Sequence, residues 1–118
     1  MKRVIQLIGV RPEKLHQYID LHNHIPPEVV AAIHNANLRN YSIFLWNHQL
    51  IAYMEYVGDA YEEDLRRLSQ SEVMRRWQSI CDTMQVPYGQ GDSSARWMDA
   101  TEIFHLEPFP DSDLSESH

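Results

Sequence analysis

Cysteine is nearly missing from this 118-residue chain: Cys81 stands alone, which excludes an intrachain disulfide and any thiolate cluster able to hold zinc. A reducing cytoplasm suits such a chain. Positive charge is also scarce. Ten Lys and Arg face 17 Asp and Glu, a formal charge of −7, and that balance repels phosphate backbones and anionic membranes. Neither nucleic acid nor a membrane is an expected partner. No window approaches the run of about 18 apolar residues that a membrane span needs. The first stretch, MKRVIQLIGV, is interrupted by Gln6, stops at Arg11-Pro12 and lacks a small-residue cleavage site, so it reads as a strand rather than a leader. No internal repeat is evident. What remains is ordinary for a folded domain, with 43% hydrophobic and 23% charged residues, far from the polar bias of a disordered chain.

Local patterning gives an order of elements. Residues 3–10 form a short β-branched run ending at a proline, a first strand. From Pro12 the positions Leu15, Tyr18, Ile19 and His22 follow the spacing of one helix face. Pro26-Pro27 breaks that helix, and Val29, Val30, Ile33 and Ala36 restart a helical stripe ending near Asn37. Two alternating runs, 40–46 and 50–57, flank Asn47-His48-Gln49 and predict an antiparallel hairpin. Helical structure is expected over 60–84, with Asp59 able to cap its start and a second start near Ser71. A Pro-, Gly- and Ser-rich loop follows at 87–95, then a strand over 97–106. The order β-α-β-β-α-β is that of the ferredoxin-like α+β unit, an antiparallel sheet with helices on one face. One domain over 1–107 and an acidic Pro- and Ser-rich tail over 108–118 are expected. The other face of the sheet still carries apolar residues, and a homodimer, the dimeric α/β-barrel arrangement, is the simplest cover for it.

Tyr18 and His22 are four apart, so a helix sets them one turn above each other and lets them address one ligand. Two proton-transfer groups in one site suit the opening of an aldose ring, in which one proton leaves the anomeric hydroxyl while another reaches the ring oxygen. Spacing alone fits equally well two amphipathic core residues with satisfied polar tips. His22, Asn23 and His24 near Glu28 also offer two imidazoles, but no third ligand stands at a recognised metal spacing. On the last predicted strand Glu102 interrupts an apolar face of Met98, Ala100, Phe104 and Leu106. It is either an acceptor for a ligand hydroxyl or half of an ion pair at the dimer surface. Trp77 shares a helical stripe with Val73, Met74 and Ile80, which suits core packing or an aromatic platform.

Taken together, the stretch HQYIDLHNHIPPEV at 16–29, NYSIFL at 40–45, Arg76-Trp77 and TEIF at 101–104 resemble, in order, the signature segments of the L-rhamnose mutarotases. The resemblance spans about residues 1–107. It implies a homodimer of ferredoxin-like subunits that interconverts the anomers of a 6-deoxyhexose with no metal or cofactor. His22 is then the proton donor, and Tyr18, Tyr41 and Trp77 contact the sugar. Two departures bear on substrate. The family's late helix has two adjacent tryptophans where this chain has Trp77-Gln78, and a Pro and a Trp stand where it has His24 and Pro26. Gln78 and His24 are thus polar candidates for sugar contact in place of an aromatic wall, and L-fucose is as eligible a substrate as L-rhamnose. The competing expectations are a cofactor-free monooxygenase of the same dimeric type and a non-catalytic sugar-binding module.

Overall fold

Alternation along Gln49–Tyr56 decides how the sheet is built: Leu50, Ala52, Met54 and Tyr56 are buried, while the residues between them are half-covered. A strand with one dry face needs helices on that face alone. The computed structural model describes residues 1–88 and 96–108. Its elements run β1 (Lys2–Val10), a 3-10 turn (Pro12–Lys14), α1 (Leu15–His22), α2 (Pro27–Asn35), β2 (Leu38–Trp46), β3 (Gln49–Tyr56), α3 (Tyr61–Gln70), α4 (Glu72–Asp82), β4 (Gln85–Val86) and β5 (Met98–Ala100). The strand order is β2-β3-β1-β4, with β5 also on β1, and β1 runs antiparallel to β3, β4 and β5, as β2 does to β3. This is the α+β ferredoxin-like arrangement expected from the element order. Among the described residues no helix is long and apolar enough to cross a membrane.

Two clusters fill the space under the helices. One joins Ile8, Val10 and Leu50 to Tyr18, Val29 and Trp77, and the other joins Val4, Ala52, Met54 and Tyr56 to Leu65 and Leu68 of α3. Among the described residues no helix covers the opposite face. It carries Ile51 opposite Phe44 and Leu7, and Ile5 opposite Tyr53 and Ala100, with Phe44 58% and Trp46 67% exposed.

Several boundaries differ from the sequence expectation. The hairpin turn is only Asn47-His48, both at positive φ (50° and 59°), the geometry of a two-residue type I′ turn whose twist matches the flanking strands. Asp59 does not cap α3, whose N-cap is Ala60 without a side-chain bond. Ser71 does cap α4, its Oγ accepting from the Met74 N–H at 3.1 Å. The last strand is three residues long rather than ten, and β4 was not expected at all. Most of the expected loop, residues 89–95, and the tail from 109 lie outside the described residues.

β4 holds its place through a close backbone approach. Gly9 pairs with Val86, and a Cβ on Gly9 would lie 2.9 Å from the Val86 carbonyl oxygen, so only glycine lets the strand come that near. A polar knot secures the other end of the sheet. Asp64, in the first turn of α3 and 6% exposed, accepts from the Tyr56 hydroxyl at 2.5 Å and from Asn37 Nδ2 at 3.0 Å. It also accepts from Arg67. These bonds, led by that from Tyr56, hold the Asp64 carboxyl below the usual aspartate range against the opposing effect of burial.

Candidate active site

Helix α1 has only eight residues, yet it carries both proton-transfer candidates. Their i, i+4 spacing stacks the Tyr18 and His22 rings 4.2 Å apart between centroids at 27°, and Trp77 from α4 meets His22 edge-on at 5.2 Å. Both rings face a concavity of about 490 Å³ between the helices and β2, within the usual range for a small-molecule site. Leu15, Ile25, Val29, Leu50 and Met74 supply much of its apolar wall, while Tyr18, His22, Asn23, Tyr41, Gln78 and Gln85 bring polar groups to it. Mostly apolar walls with a few convergent polar groups are what a ligand that is part ring and part hydroxyl requires.

The histidine is oriented by its own helix. His22 Nδ1 lies 2.9 Å from the Tyr18 carbonyl oxygen. A carbonyl only accepts, so Nδ1 carries the proton and Nε2 is left as the atom that can take or give one. Burial lowers the His22 pKa from the ordinary 6.5, and the bond to the Tyr18 carbonyl opposes this. Neutral imidazole is therefore the resting form at neutral pH. Tyr18 is 3% exposed, and burial raises its pKa well above the ordinary tyrosine range, with a hydrogen bond donated by Gln85 working the other way. It stays a phenol. Tyr41 keeps 40% of its surface exposed, but its hydroxyl is withdrawn from water and its pKa is pushed up to about 12, chiefly by desolvation. The Cys81 thiol, also in the wall, is pushed up to about 12 by burial and is no nucleophile.

The structure brings five of the seven sequence candidates together: Tyr18, His22, Tyr41, Trp77 and Gln78 line one cavity. His24 and Glu102 lie elsewhere. His24 is exposed, with Nδ1 3.1 Å from the Asp20 carbonyl oxygen, and Glu102 accepts from Arg3 Nε at 3.0 Å and from its Nη2 at 3.4 Å. Trp97, from the start of the alternating stretch 97–106, and Gln85 also belong to the lining, and Gln85 carries no periodic signal. Gln85 sits on a two-residue strand just past a helix end, where no pattern is long enough to read. Among the described residues no group of three or more His, Cys, Asp or Glu is placed to hold a metal ion.

A sequence profile described as L-rhamnose mutarotase matches residues 3–106. The L-rhamnose mutarotase of Oceanobacillus iheyensis is 32% identical over 109 residues, covering 91% of this chain and all of that protein. The crystal structure of L-rhamnose mutarotase from Formosa agariphila superposes with a TM-score of 0.72 at 18% identity, covering 91% of this chain and all of the other. An antibiotic biosynthesis monooxygenase superposes at 0.56 and 15% identity, over 87% of this chain and 99% of its own. At these identities the two structural likenesses speak to the fold alone.

Proposed function

This chain belongs to the L-rhamnose mutarotase family, and on that footing we propose that it is an isomerase that interconverts the α and β anomers of a 6-deoxyhexose, with His22 and Tyr18 as its acid/base pair. The observation that carries the assignment of roles is the locked imidazole: Nδ1–H held by the Tyr18 carbonyl, Nε2 left for exchange, and a neutral phenol stacked beside it. Whereas the resemblance makes His22 the proton donor, its neutral Nε2 acts here as the base in ring opening and donates only in closure. The anomeric hydroxyl proton moves to Nε2 as the bond from C1 to the ring oxygen breaks, and the ring oxygen takes a proton from Tyr18 Oη. The free aldehyde turns about its C1–C2 bond. Closure on its other face returns one proton to Tyr18 and takes one from the imidazolium, leaving the enzyme unchanged. A phenol with a raised pKa is still a stronger acid than the alcohol that forms when the departing ring oxygen is protonated, so the transfer runs downhill. Tyr41, Trp77 and Gln78 contact the sugar in this reading. His24 and Glu102 do so only through a rearrangement or a second subunit.

Saturation transfer between the anomeric proton signals of L-rhamnose and of L-fucose tests the assignment. Exchange accelerated with either sugar supports it, the faster one naming the preferred substrate; no acceleration with both overturns it. The pH profile follows from the depressed His22 pKa. The base must be neutral, so kcat/KM stays flat as pH falls through 6.5, the ordinary histidine value, and drops only below it as the imidazole takes up one proton. A break at or above 6.5 contradicts this account.

The homodimer belongs to the same reading. Phe44, Trp46, Ile5, Leu7, Ile51 and Tyr53 share one sheet face that no described helix covers, and the apolar residues Ile103, Phe104 and Leu106 beyond β5 are 94%, 76% and 69% exposed. Burying such a surface against a second copy is the economical solution. Sedimentation velocity is expected to give twice the mass of the 13.9 kDa chain, and Trp46→Glu to shift the protein toward monomer; a wild-type monomer at micromolar concentration contradicts the assignment. The lone buried thiol fits a cytoplasmic enzyme, which cell fractionation checks.

A further inference from the structure

Gln85 faces the cavity with a polar side chain buried to 3% exposure, as deeply as Tyr18. Its Nε2 donates to the Tyr18 hydroxyl at 3.3 Å, and its Oε1 is buried with no hydrogen-bond partner among the described residues. An orphaned buried amide oxygen is costly and rarely tolerated without a reason. The amide is held there by main chain, because Gln85 pairs with Val10 and its neighbour Val86 packs on Gly9. Turning the amide over would exchange the two ends but still leave one polar atom without a partner.

We infer that Gln85 is a positioning and specificity residue: its amide orients the Tyr18 hydroxyl, and its remaining polar atom takes one hydroxyl of the bound sugar. The chemistry is consistent at both ends. A hydroxyl oxygen that accepts from Nε2–H keeps its own proton for another acceptor, so the Tyr18 O–H is left to point at the ligand as a donor. A sugar hydroxyl supplies the donor that Oε1 lacks. A site built to hydrogen-bond a hydroxyl rejects an analogue lacking it far more strongly than an apolar wall does. Gln85 thereby gives a mostly apolar cavity wall a polar reading point.

This inference rests on the mutarotase reading, and the test separates the two. Anomer exchange is measured for L-rhamnose and for its analogues lacking the C2, C3 or C4 hydroxyl, with wild type, Gln85→Met and Gln85→Glu. Comparing ratios between proteins cancels the intrinsic reactivity of each analogue. Wild type is expected to lose about tenfold in kcat/KM with one of the analogues, and in Gln85→Met that penalty disappears while the other two persist. Gln85→Glu keeps an acceptor and restores the penalty, at a lower kcat because the donor to Tyr18 is gone. A uniform loss with all four sugars marks a merely structural role, and unchanged penalties mark an atom satisfied by water. Either result overturns the inference. Should Gln85→Met fail to fold, Gln85→Glu alone decides, since an unchanged kcat there contradicts the orienting role. Failure of wild type to exchange L-rhamnose at all defeats the mutarotase reading instead.

Discussion

Replacing His22 by alanine is expected to slow catalysed anomer exchange by roughly 10²–10⁴-fold, the usual worth of one general acid or base, with the secondary structure intact. The side chain is only half-buried and contributes two ring contacts, the stack on Tyr18 and the edge on Trp77. Each contact is worth about 0.5–1.5 kcal/mol. A modest fall in Tm therefore accompanies a large fall in rate, and circular dichroism with thermal melting separates the two. Tyr18→Phe gives a complementary result. It removes the donor but keeps the stack, so kcat falls while the pH break set by His22 remains. An His22→Ala enzyme that exchanges at the wild-type rate eliminates the imidazole as the proton carrier.

The second large effect is on stability. Asp64→Asn keeps the shape of the side chain but removes the charge on which Tyr56, Asn37 and Arg67 converge, and its amide nitrogen turns a donor toward groups that are themselves donors. Breaking a buried network is among the few mechanisms that destabilise strongly, and a drop in Tm on the order of 10 °C is expected. The pH dependence has a definite sign. The folded carboxyl lies below the ordinary 3.8, so the stabilisation is fully present above that value and is lost as pH falls through the folded pKa. The gap in Tm between wild type and Asp64→Asn is thus wide at neutral pH and closes in acid. A gap independent of pH assigns the loss to packing rather than to charge.

The elements most legible in the sequence are those whose pattern is set by a single dry face. Leu50, Ala52, Met54 and Tyr56 alternate because the helices cover one side of β3 only, and that alternation is visible in the letters. The stretch 97–106 alternates just as well, yet only Met98–Ala100 pairs. β5 places Leu7 opposite Met98 and Ile5 opposite Ala100. Continuing that register brings Phe104 opposite Met1, past the start of β1, so 104–106 have no strand to pair with, while over 101–103 the ladder stops although β1 continues to Lys2. Alternation records which side chains share a face and says nothing of how far the neighbouring edge extends.

The site was legible in the same uneven way. Tyr18 and His22 stand on a helix period, and the resemblance to the mutarotases gave that period its meaning. Tyr41, Trp77 and Gln78 were reached through the resemblance together with their place on a strand or helix. Glu102 was singled out as a carboxylate on an apolar face, but its position follows from Arg3, a residue 99 places away that no local pattern connects to it. Gln85 was missed because its burial depends on Gly9 and Val10 accepting a short strand from the far end of the chain.

The two short strands on β1 have a consequence for how the chain can change. Val86 leaves the sheet opposite Gly9, and Met98 rejoins it opposite Leu7, so the segment between them departs and returns at nearly the same rung. The entropy of closing such an excursion grows only with the logarithm of its length. Residues can be inserted or removed there at little thermodynamic cost while the strand carrying Gln85 stays in register. The pairing of β1 with its two short partners is thereby insulated from changes in the length of chain that joins them.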